Sequence, residues 1–283
     1  MPGILCRAFY LFQYPANLII RLKYIIMIFM ELTKEDKMLL ANAEDKFHQC
    51  SQQYRITYTN FLDLRQRSLI EKHWRQLSHG SDVRLEFYGG YDDAERTVAV
   101  FLPDYAQVRE CPLCIIRIKT PSGGRTLTHR DYLGSITGLG LKREMTGDIL
   151  THETGADIII LEEVKDFILL NYNKARRTTL QPEAVELSEL YIPETKTVMA
   201  RDTVASLRLD NVIASAFQLS RAKAADAIRA GIVFVNSMQV EKPDMQVEEG
   251  SKLVLRGKGK AFLREVGGRT RKDRITIIIE RYV

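Results

Sequence analysis

Cysteines are scarce, and the four present, Cys6, Cys50, Cys111 and Cys114, are too scattered for a disulfide framework in a chain of 283 residues. A reducing, cytoplasmic location is therefore the simpler expectation. Cys111 and Cys114 form a single C-x-x-C pair, but no second pair and no Cys/His cluster completes the four ligands of a zinc site. We expect structural cysteines beside a β-strand and no bound metal.

The sequence also lacks an apolar stretch long enough to cross a membrane. Residues 1–29 are mostly apolar, their only charged residues are Arg7, Arg21 and Lys23, and the last two interrupt the apolar run. A signal peptide places its charges first, and a spanning helix needs about 20 apolar residues. We expect an upstream extension that is not part of the fold, and no membrane partner; a peripheral anchor is the alternative.

Motifs for nucleotide cofactors are missing as well. Gly138-Leu139-Gly140 has no third glycine of a dinucleotide fingerprint, and the chain contains no P-loop. None of the five histidines has the spacing of a metal site or a catalytic triad. The sequence therefore predicts no cofactor, no catalytic residue and no enzymatic activity.

Positive charge is concentrated in the last quarter of the chain. The 45% hydrophobic and 27% charged fractions are typical of a folded soluble protein. From Arg208 to the end there are 15 Lys and Arg against 9 Asp and Glu, whereas the rest of the chain has 26 against 27. A basic domain of this kind favours a polyanionic partner.

The first part of the chain has a helical pattern. Glycine is absent between Glu31 and His79, and apolar residues recur at helical spacing, which predicts two or three helices in a region from 30 to 80. Tyr54, Tyr58 and Trp74 could stack on bases, but core packing is the simpler interpretation of these aromatic residues.

Short apolar runs broken by Gly, Pro and Asp follow, and they predict a small α+β domain, of the ferredoxin or RRM kind, over residues 81–181. Thr128 and Asp131 have capping-box spacing, so a helix should run from there to Gly138. A second helix is predicted from Glu162 to about Lys174. The predicted strands are Val83 to Tyr88, Thr97 to Leu102, Leu113 to Lys119, Asp148 to His152 and Ala156 to Leu161.

Basic side chains cluster around the helix capped by Thr128. Because a helix N-terminus with basic neighbours attracts phosphate, we consider this cluster a candidate second RNA surface. A solvated basic face is the alternative interpretation. The members of the cluster are Arg125, His129, Arg130, Lys142 and Arg143.

Residues 182–205, which begin with a Pro- and Glu-rich stretch, are predicted to connect this domain to a last domain at 206–283. Leu209, Val212 and Ile213 fall on one face of a first helix there. Ser220 is placed to cap a second helix, and Gly231 is suited to end it in a left-handed turn. A β-strand and a hairpin should follow, with a basic hairpin at the C-terminus that orders on RNA or forms a flexible loop.

This segment resembles the S4 RNA-binding domain over about 55 residues from Arg208. The matching features are the R-L-D opening, the S-R-x-x-A helix start, G-x-V-x-V-N and a later K-P, in that order. Ser237 and Ser251 depart from the usual Gly and Asp, which puts the hairpin turn type in doubt. The resemblance implies a fold with a paired-helix (αL) motif and contact with structured RNA.

The residues expected to contact RNA are basic or polar side chains on the helix pair and the following hairpins. Arg221 and Lys223 lie in the first turn of the second helix, where free N–H groups favour phosphate. Such contacts depend on RNA shape rather than sequence. The full set is Arg208, Ser220, Arg221, Lys223, Arg229, Asn236, Lys242, Arg256, Lys258, Lys260, Arg269, Arg271 and Lys272.

The order of a helical N-terminus, a small α+β domain and a C-terminal S4 domain is similar to the bacterial YlmH family. L-T-H-R-D-Y-L-G-S-I-T-G-L-G, from Leu127 to Gly140, carries this resemblance within roughly Met30 to Val283. It implies structured RNA as partner (rRNA on the large ribosomal subunit, with tRNA as a further candidate), no DNA, and a role in ribosome-associated quality control or cell division.

Two other functions remain open from the sequence. The alternative is an RNA-modifying enzyme with an unrecognised active site in the middle domain; Arg208-Leu209-Asp210 is similar to the R-L-D of pseudouridine synthases, although here it opens a helix of the S4 type. A third is a scaffold at the membrane or division site. A concave pocket with convergent acids in the middle domain would favour the enzyme.

Overall fold

The computed structural model describes residues 32–77, 82–120, 126–193 and 196–282. The predicted extension at 1–29 and Arg125 of the second basic cluster lie outside the described residues.

Within these ranges the chain forms α-helices and mostly antiparallel β-strands. The helices are α1 Lys34–Gln53, α2 Leu64–Leu77, α3 His129–Gly138, α4 Lys165–Asn171, α5 Leu209–Ala216 and α6 Arg221–Arg229. The strands are β1 Thr57–Tyr58, β2 Arg84–Tyr88, β3 Val98–Leu102, β4 Leu113–Lys119, β5 Thr146–His152, β6 Gly155–Leu161, β7 Lys174–Ala175, β8 Thr178–Thr179, β9 Gln181–Val185, β10 Thr197–Val204, β11 Val233–Val235, β12 Met238–Gln239, β13 Lys252–Leu255, β14 Gly259–Arg269 and β15 Ile275–Tyr282.

Helices α1 and α2 cover one face of a first sheet with strand order β1-β3-β2. Thr33 and Asp36 cap α1, since the Thr33 hydroxyl accepts the Asp36 N–H at 3.1 Å. Leu40 from α1 and Phe101 from β3 belong to the core between helices and sheet. The boundary predicted at 80/81 is therefore wrong, because β3 pairs with both β1 and β2 and the three strands form one sheet.

The second sheet has the order β5-β6-β4-β9 and lies beside helices α3 and α4. Its elements follow as β-α-β-β-α-β with antiparallel neighbours, which is the ferredoxin-like arrangement. The α+β prediction is confirmed, as is the helix from His129 to Gly138.

The two sheets pack face to face. Val98 and Val100 of β3 share a core with Ile115 of β4 and Ile159 of β6. Because successive residues of a strand point to opposite faces, Ile116 packs on the other side of the second sheet, toward α3 and α4. The layers are therefore helix, sheet, sheet, helix, and we call residues 32–193 the double-sheet unit. An RRM reads bases on its open sheet face, but here the first sheet covers that face.

The predicted connector at 182–205 is wrong at both ends. Gln181–Val185 is an edge strand that pairs with β4, and Thr197–Val204 pairs with β15 along its whole length. The proline and glutamate of β9 are compatible with an edge strand, because an edge leaves one side of the backbone unpaired.

The C-terminal unit, residues 197–282, is a six-stranded sheet of order β10-β15-β14-β13-β11-β12 packed against α5 and α6. The flexible loop considered for the basic C-terminal segment is wrong, because β14 and β15 form a long hairpin with Leu263 and Ile279 buried. Asn236 and Ser237 have φ of 50° and 67°, so serine adopts the left-handed turn usually given to glycine.

The two units touch where α2 meets β12. The Ser68 hydroxyl accepts the Gln239 N–H at 2.9 Å, and Asp93 binds the Lys252 ammonium at 2.9 Å. In the described part of the chain no helix is both long and apolar enough to span a membrane.

Candidate nucleic-acid interface

A buried carboxylate organises two arginines at the start of the C-terminal helix pair. Asp210 has a side chain only 5% exposed, and its oxygens accept from Arg208 at 3.1 Å and Arg221 at 3.1 Å. Burial opposes ionisation of Asp210, but the hydrogen bonds from both arginines outweigh it and hold its pKa below the ordinary value. Asp210 therefore anchors the guanidinium groups of Arg208 and Arg221.

Both arginines stay open to solvent, with side chains 36% exposed at Arg208 and 58% exposed at Arg221. Ser220 caps α6 as predicted, since its hydroxyl accepts the Lys223 N–H at 3.3 Å. Lys223 is exposed in the same first turn. We call Arg208, Arg221 and Lys223 the arginine face.

The K-P segment lies beside this face. The Pro243 carbonyl accepts the Asp210 N–H at 3.0 Å, and the Met245 carbonyl accepts the Leu209 N–H at 2.8 Å. These bonds satisfy free donors at the start of α5. Lys242 is exposed in this turn, so the structure places it next to the arginine face.

Of the other side chains predicted to contact RNA, some are exposed and others are already bonded within the protein. Arg229 is exposed and pairs with Asp226 of its own helix at 3.2 Å. Asn236 serves the fold, because its amide oxygen accepts the Lys252 N–H at 2.8 Å. Lys260 is also engaged: its side chain is 17% exposed, with its ammonium 3.7 Å from Asp93 and 4.4 Å from the centre of the Tyr282 ring.

The long hairpin carries a separate basic group at its tip. Arg269 pairs with Asp273 at 2.7 Å, and Arg271 and Lys272 between them are exposed. Lys258 is exposed in the turn before β14, and Arg256 reaches Asp63 of the double-sheet unit at 3.9 Å. The predicted residues therefore occupy several places around the sheet.

The second basic cluster is only partly available for binding. Arg130 and Lys142 are exposed, but the Arg143 guanidinium donates to the carbonyls of Thr146 at 2.6 Å and Gly147 at 2.9 Å. Burial and the neighbouring Arg96 charge lower the pKa of Arg143 to about 10. Arg143 is thus a structural group.

The capped N-terminus of α3 already holds a negative charge. The Asp131 carboxylate accepts the Thr128 N–H at 2.9 Å and the Thr128 hydroxyl at 2.8 Å, and it forms an ion pair with Arg176. These bonds lower the pKa of Asp131, led by the Thr128 backbone. A phosphate at this helix start would meet a carboxylate, which weakens the predicted phosphate seat.

Sequence reasoning missed Arg96, which joins three segments of the double-sheet unit. Its guanidinium donates to the carbonyls of Thr146 at 3.1 Å, Phe61 at 3.0 Å and Arg143 at 3.3 Å. An isolated arginine in a loop before a strand gives no signal of this role, because its acceptors are main-chain oxygens distant in sequence.

A cleft of about 420 Å³ lies between the two units, with Arg96, His129 and Arg143 on one side and Arg256 on the other. Desolvation and the Arg143 charge lower the pKa of His129. The acids in the cleft include Asp148, whose oxygens accept from the Tyr91 hydroxyl at 2.9 Å and from the Glu95 N–H at 2.7 Å. Among the described residues no cluster of His, Cys, Asp and Glu could hold a metal.

Comparison with known proteins agrees with this architecture. Residues 107–189 match the profile described as a putative RNA-binding domain in YlmH, and residues 207–253 match the S4 domain. The chain is 34% identical to the "Ribosome-associated protein quality control protein P2" of Bacillus subtilis (strain 168) over 256 residues, 90% of this chain and 98% of the relative.

The chain belongs to the YlmH family. A solved structure titled "Cell division protein ylmH from Streptococcus pneumoniae" matches 58% of this chain and 98% of its own, with 22% identity and a TM-score of 0.46. The S4 profile covers the arginine face, so the resemblance seen in the sequence is confirmed at the level of the family. The YlmH profile spans the whole ferredoxin-like sheet, including β9, the strand at the start of the predicted connector.

Proposed function

We propose that this chain binds structured RNA of the large ribosomal subunit through the arginine face of its S4 domain and catalyses no reaction. The observation that carries the proposal is the pair of solvent-open guanidiniums fixed by Asp210 beside the start of α6. Guanidiniums held in place by a carboxylate can add bidentate bonds to phosphate with little further ordering.

The Bacillus subtilis relative supports ribosome association, since its name describes a ribosome-associated quality control protein. The close match in length supports a similar role for this chain. rRNA is the proposed partner, with tRNA as a further candidate, and cytoplasmic quality control is the proposed setting.

A second RNA contact from the double-sheet unit would add specificity, since phosphate contacts alone are largely independent of sequence. Arg130 and Lys142 remain candidates for it because they are exposed. Two linked contacts on one chain gain affinity through effective concentration.

The proposal is tested by co-sedimentation of the full-length chain with purified large and small subunits. Wild type should travel with the large subunit, and Arg221→Glu/Lys223→Glu should lose that association by about a hundredfold in affinity. The matched control is Arg75→Glu, an exposed charge reversal on α2 far from the arginine face in sequence. Unchanged co-sedimentation of a folded double variant would contradict the proposal.

Arg130→Ala/Lys142→Ala tests the second contact separately. This variant should co-sediment more weakly with large subunits, yet leave binding of the S4 domain to naked RNA unaltered. Arg143 is kept as arginine in this variant, because its carbonyl contacts would make its loss a folding defect. If Arg130→Ala/Lys142→Ala co-sediments with large subunits as wild type does across a salt series, these two residues supply no second RNA contact.

A further inference from the structure

Two exposed tyrosines of the double-sheet unit are joined by a hydrogen bond. Tyr54 is 71% exposed and Tyr105 is 70% exposed. The Tyr105 hydroxyl donates to the Tyr54 carbonyl, which ties the loop after β3 to the end of α1. Within the described residues neither ring packs against another aromatic ring.

The backbone at Tyr54 is unfavourable for this residue type. It ends α1 with φ 48°, a left-handed conformation that favours glycine or asparagine. A tyrosine here combines an unfavourable backbone with an exposed ring. Burial does not account for the tyrosine at this position, whereas a ligand that stacks on the exposed ring would make use of it.

A polar pocket of about 330 Å³ is lined by Arg55, the residue that follows Tyr54 in sequence. Its lining also includes the amide residues Asn42 and Gln49 and one carboxylate residue, Glu163. Asn60 lines it as well, but its amide nitrogen donates to Glu144 at 3.2 Å. Amides both donate and accept, as base edges require, and a carboxylate accepts from the amino group of cytosine or adenine.

Two basic side chains also line the pocket. Lys46 and Arg55 border the same pocket, and neither forms an ion pair within the described residues. They are therefore available for the phosphates that flank a base. Stacking rings, hydrogen-bonding amides and free cations are the combination found in sites for single-stranded nucleic acid.

We infer that Tyr54, Tyr105 and the adjoining pocket form a site for unpaired nucleotides of RNA, separate from the arginine face. The site deepens the proposed function, on which it rests, by naming an unpaired segment as a second element of the bound RNA.

The test uses the full-length chain and an oligocytidine of about ten nucleotides with a central 2-aminopurine, whose fluorescence is quenched by stacking on aromatic rings. Wild type should bind this oligonucleotide and quench its fluorescence. Tyr54→Ala and Tyr105→Ala should each lower affinity about tenfold and reduce the quench.

Three control variants distinguish stacking on the tyrosine rings from a general effect of substitution and from binding at the arginine face. Tyr54→Phe keeps the ring and should retain the quench, and Leu170→Ala, which removes a 79% exposed apolar side chain elsewhere, should behave as wild type. Arg221→Glu/Lys223→Glu should still quench at saturating oligonucleotide, so failure of the arginine face and of the tyrosine site are distinguishable.

Wild-type quench and affinity in Tyr54→Ala/Tyr105→Ala would overturn the inference. Loss of ribosome co-sedimentation in that variant, with the quench intact, would also overturn it and assign the tyrosines to a protein contact. Folding of each variant is checked by thermal unfolding, which should match wild type because both rings are exposed.

Discussion

Arginines serve different ends in the two units of this chain. In the S4 domain, Arg208 and Arg221 share one buried carboxylate and keep much of their surface open. In the double-sheet unit, Arg96 and Arg143 donate to main-chain carbonyls. A count of charges therefore does not show which arginines keep donors open to solvent.

The contrast between the two units should be largest at Arg96. Arg96→Ala would remove one donor from each of three carbonyls and should lower the free energy of unfolding by about 3 kcal/mol. Arg221→Ala, an exposed arginine, should cost less than about 1 kcal/mol. Urea denaturation of both variants measures this, and equal losses would contradict the division of roles.

The next largest loss of stability is expected when Asp157 is replaced. It is fully buried and binds Arg117 at 2.8 Å, while the Tyr191 N–H donates to it at 2.9 Å. Asp157→Asn should cost about 2 kcal/mol at neutral pH, because the largely buried Arg117 loses its counter-charge.

This loss should depend on pH with a defined sign. Burial raises the pKa of Asp157, but the bonds from Arg117 and Tyr191 prevail and lower it. A lowered pKa gives stability that is complete above the unfolded value of about 3.9 and disappears as pH falls through the folded value. Denaturation between about pH 3 and pH 7 should show wild type and Asp157→Asn converging at the acid end; a constant difference would contradict the assignment.

Asp210→Asn should have a smaller effect on stability than Asp157→Asn, although both carboxylates are buried. Its partners Arg208 and Arg221 are at least a third exposed and can be solvated again when the carboxylate is lost. We expect a cost of about 1 kcal/mol, measured by the same denaturation series. If Asp210→Asn lowers the free energy of unfolding more than Asp157→Asn does, the main role of the arginine face is to stabilise the fold.

The smallest effect is expected at the junction of the units. Asp93, with a side chain 45% exposed, holds Lys252 and Lys260. Asp93→Asn should change the free energy of unfolding by no more than about 0.5 kcal/mol. It should raise RNA affinity about two- to threefold in a filter-binding assay, since both lysines are released; a lower affinity would show that docking of the units matters more than their charge.

Local signals in the sequence predicted the elements better than their assembly. The Thr128 capping box and the Ser220 cap are set by residues three positions apart, and both helices begin where expected. The face-to-face packing of two sheets depends on partners from separate strands, such as Val100 and Ile115, and no local pattern reports it. Basic residues likewise obscured the alternation that makes β14 a strand, in which Leu263 is buried.

The same distinction between local sequence signals and tertiary contacts applies to the candidate site. The S4 motif located Arg208, Ser220 and Arg221, but the carboxylate that joins both arginines was visible only as part of R-L-D. Lys260 and Arg143 carry the expected charge and are held by Asp93 and by carbonyls, respectively. Their engagement depends on tertiary neighbours, which is why the sequence could not separate them from free cations.

The central claim is that the arginine face supplies the phosphate contacts, and the salt dependence of RNA affinity tests it most directly. Each lost phosphate contact reduces the slope of log affinity against log salt by about one. Arg208→Ala/Arg221→Ala in the full-length chain should reduce the wild-type slope by about two on a large-subunit rRNA fragment. A slope equal to that of wild type, in a variant that unfolds as wild type does, would contradict the account.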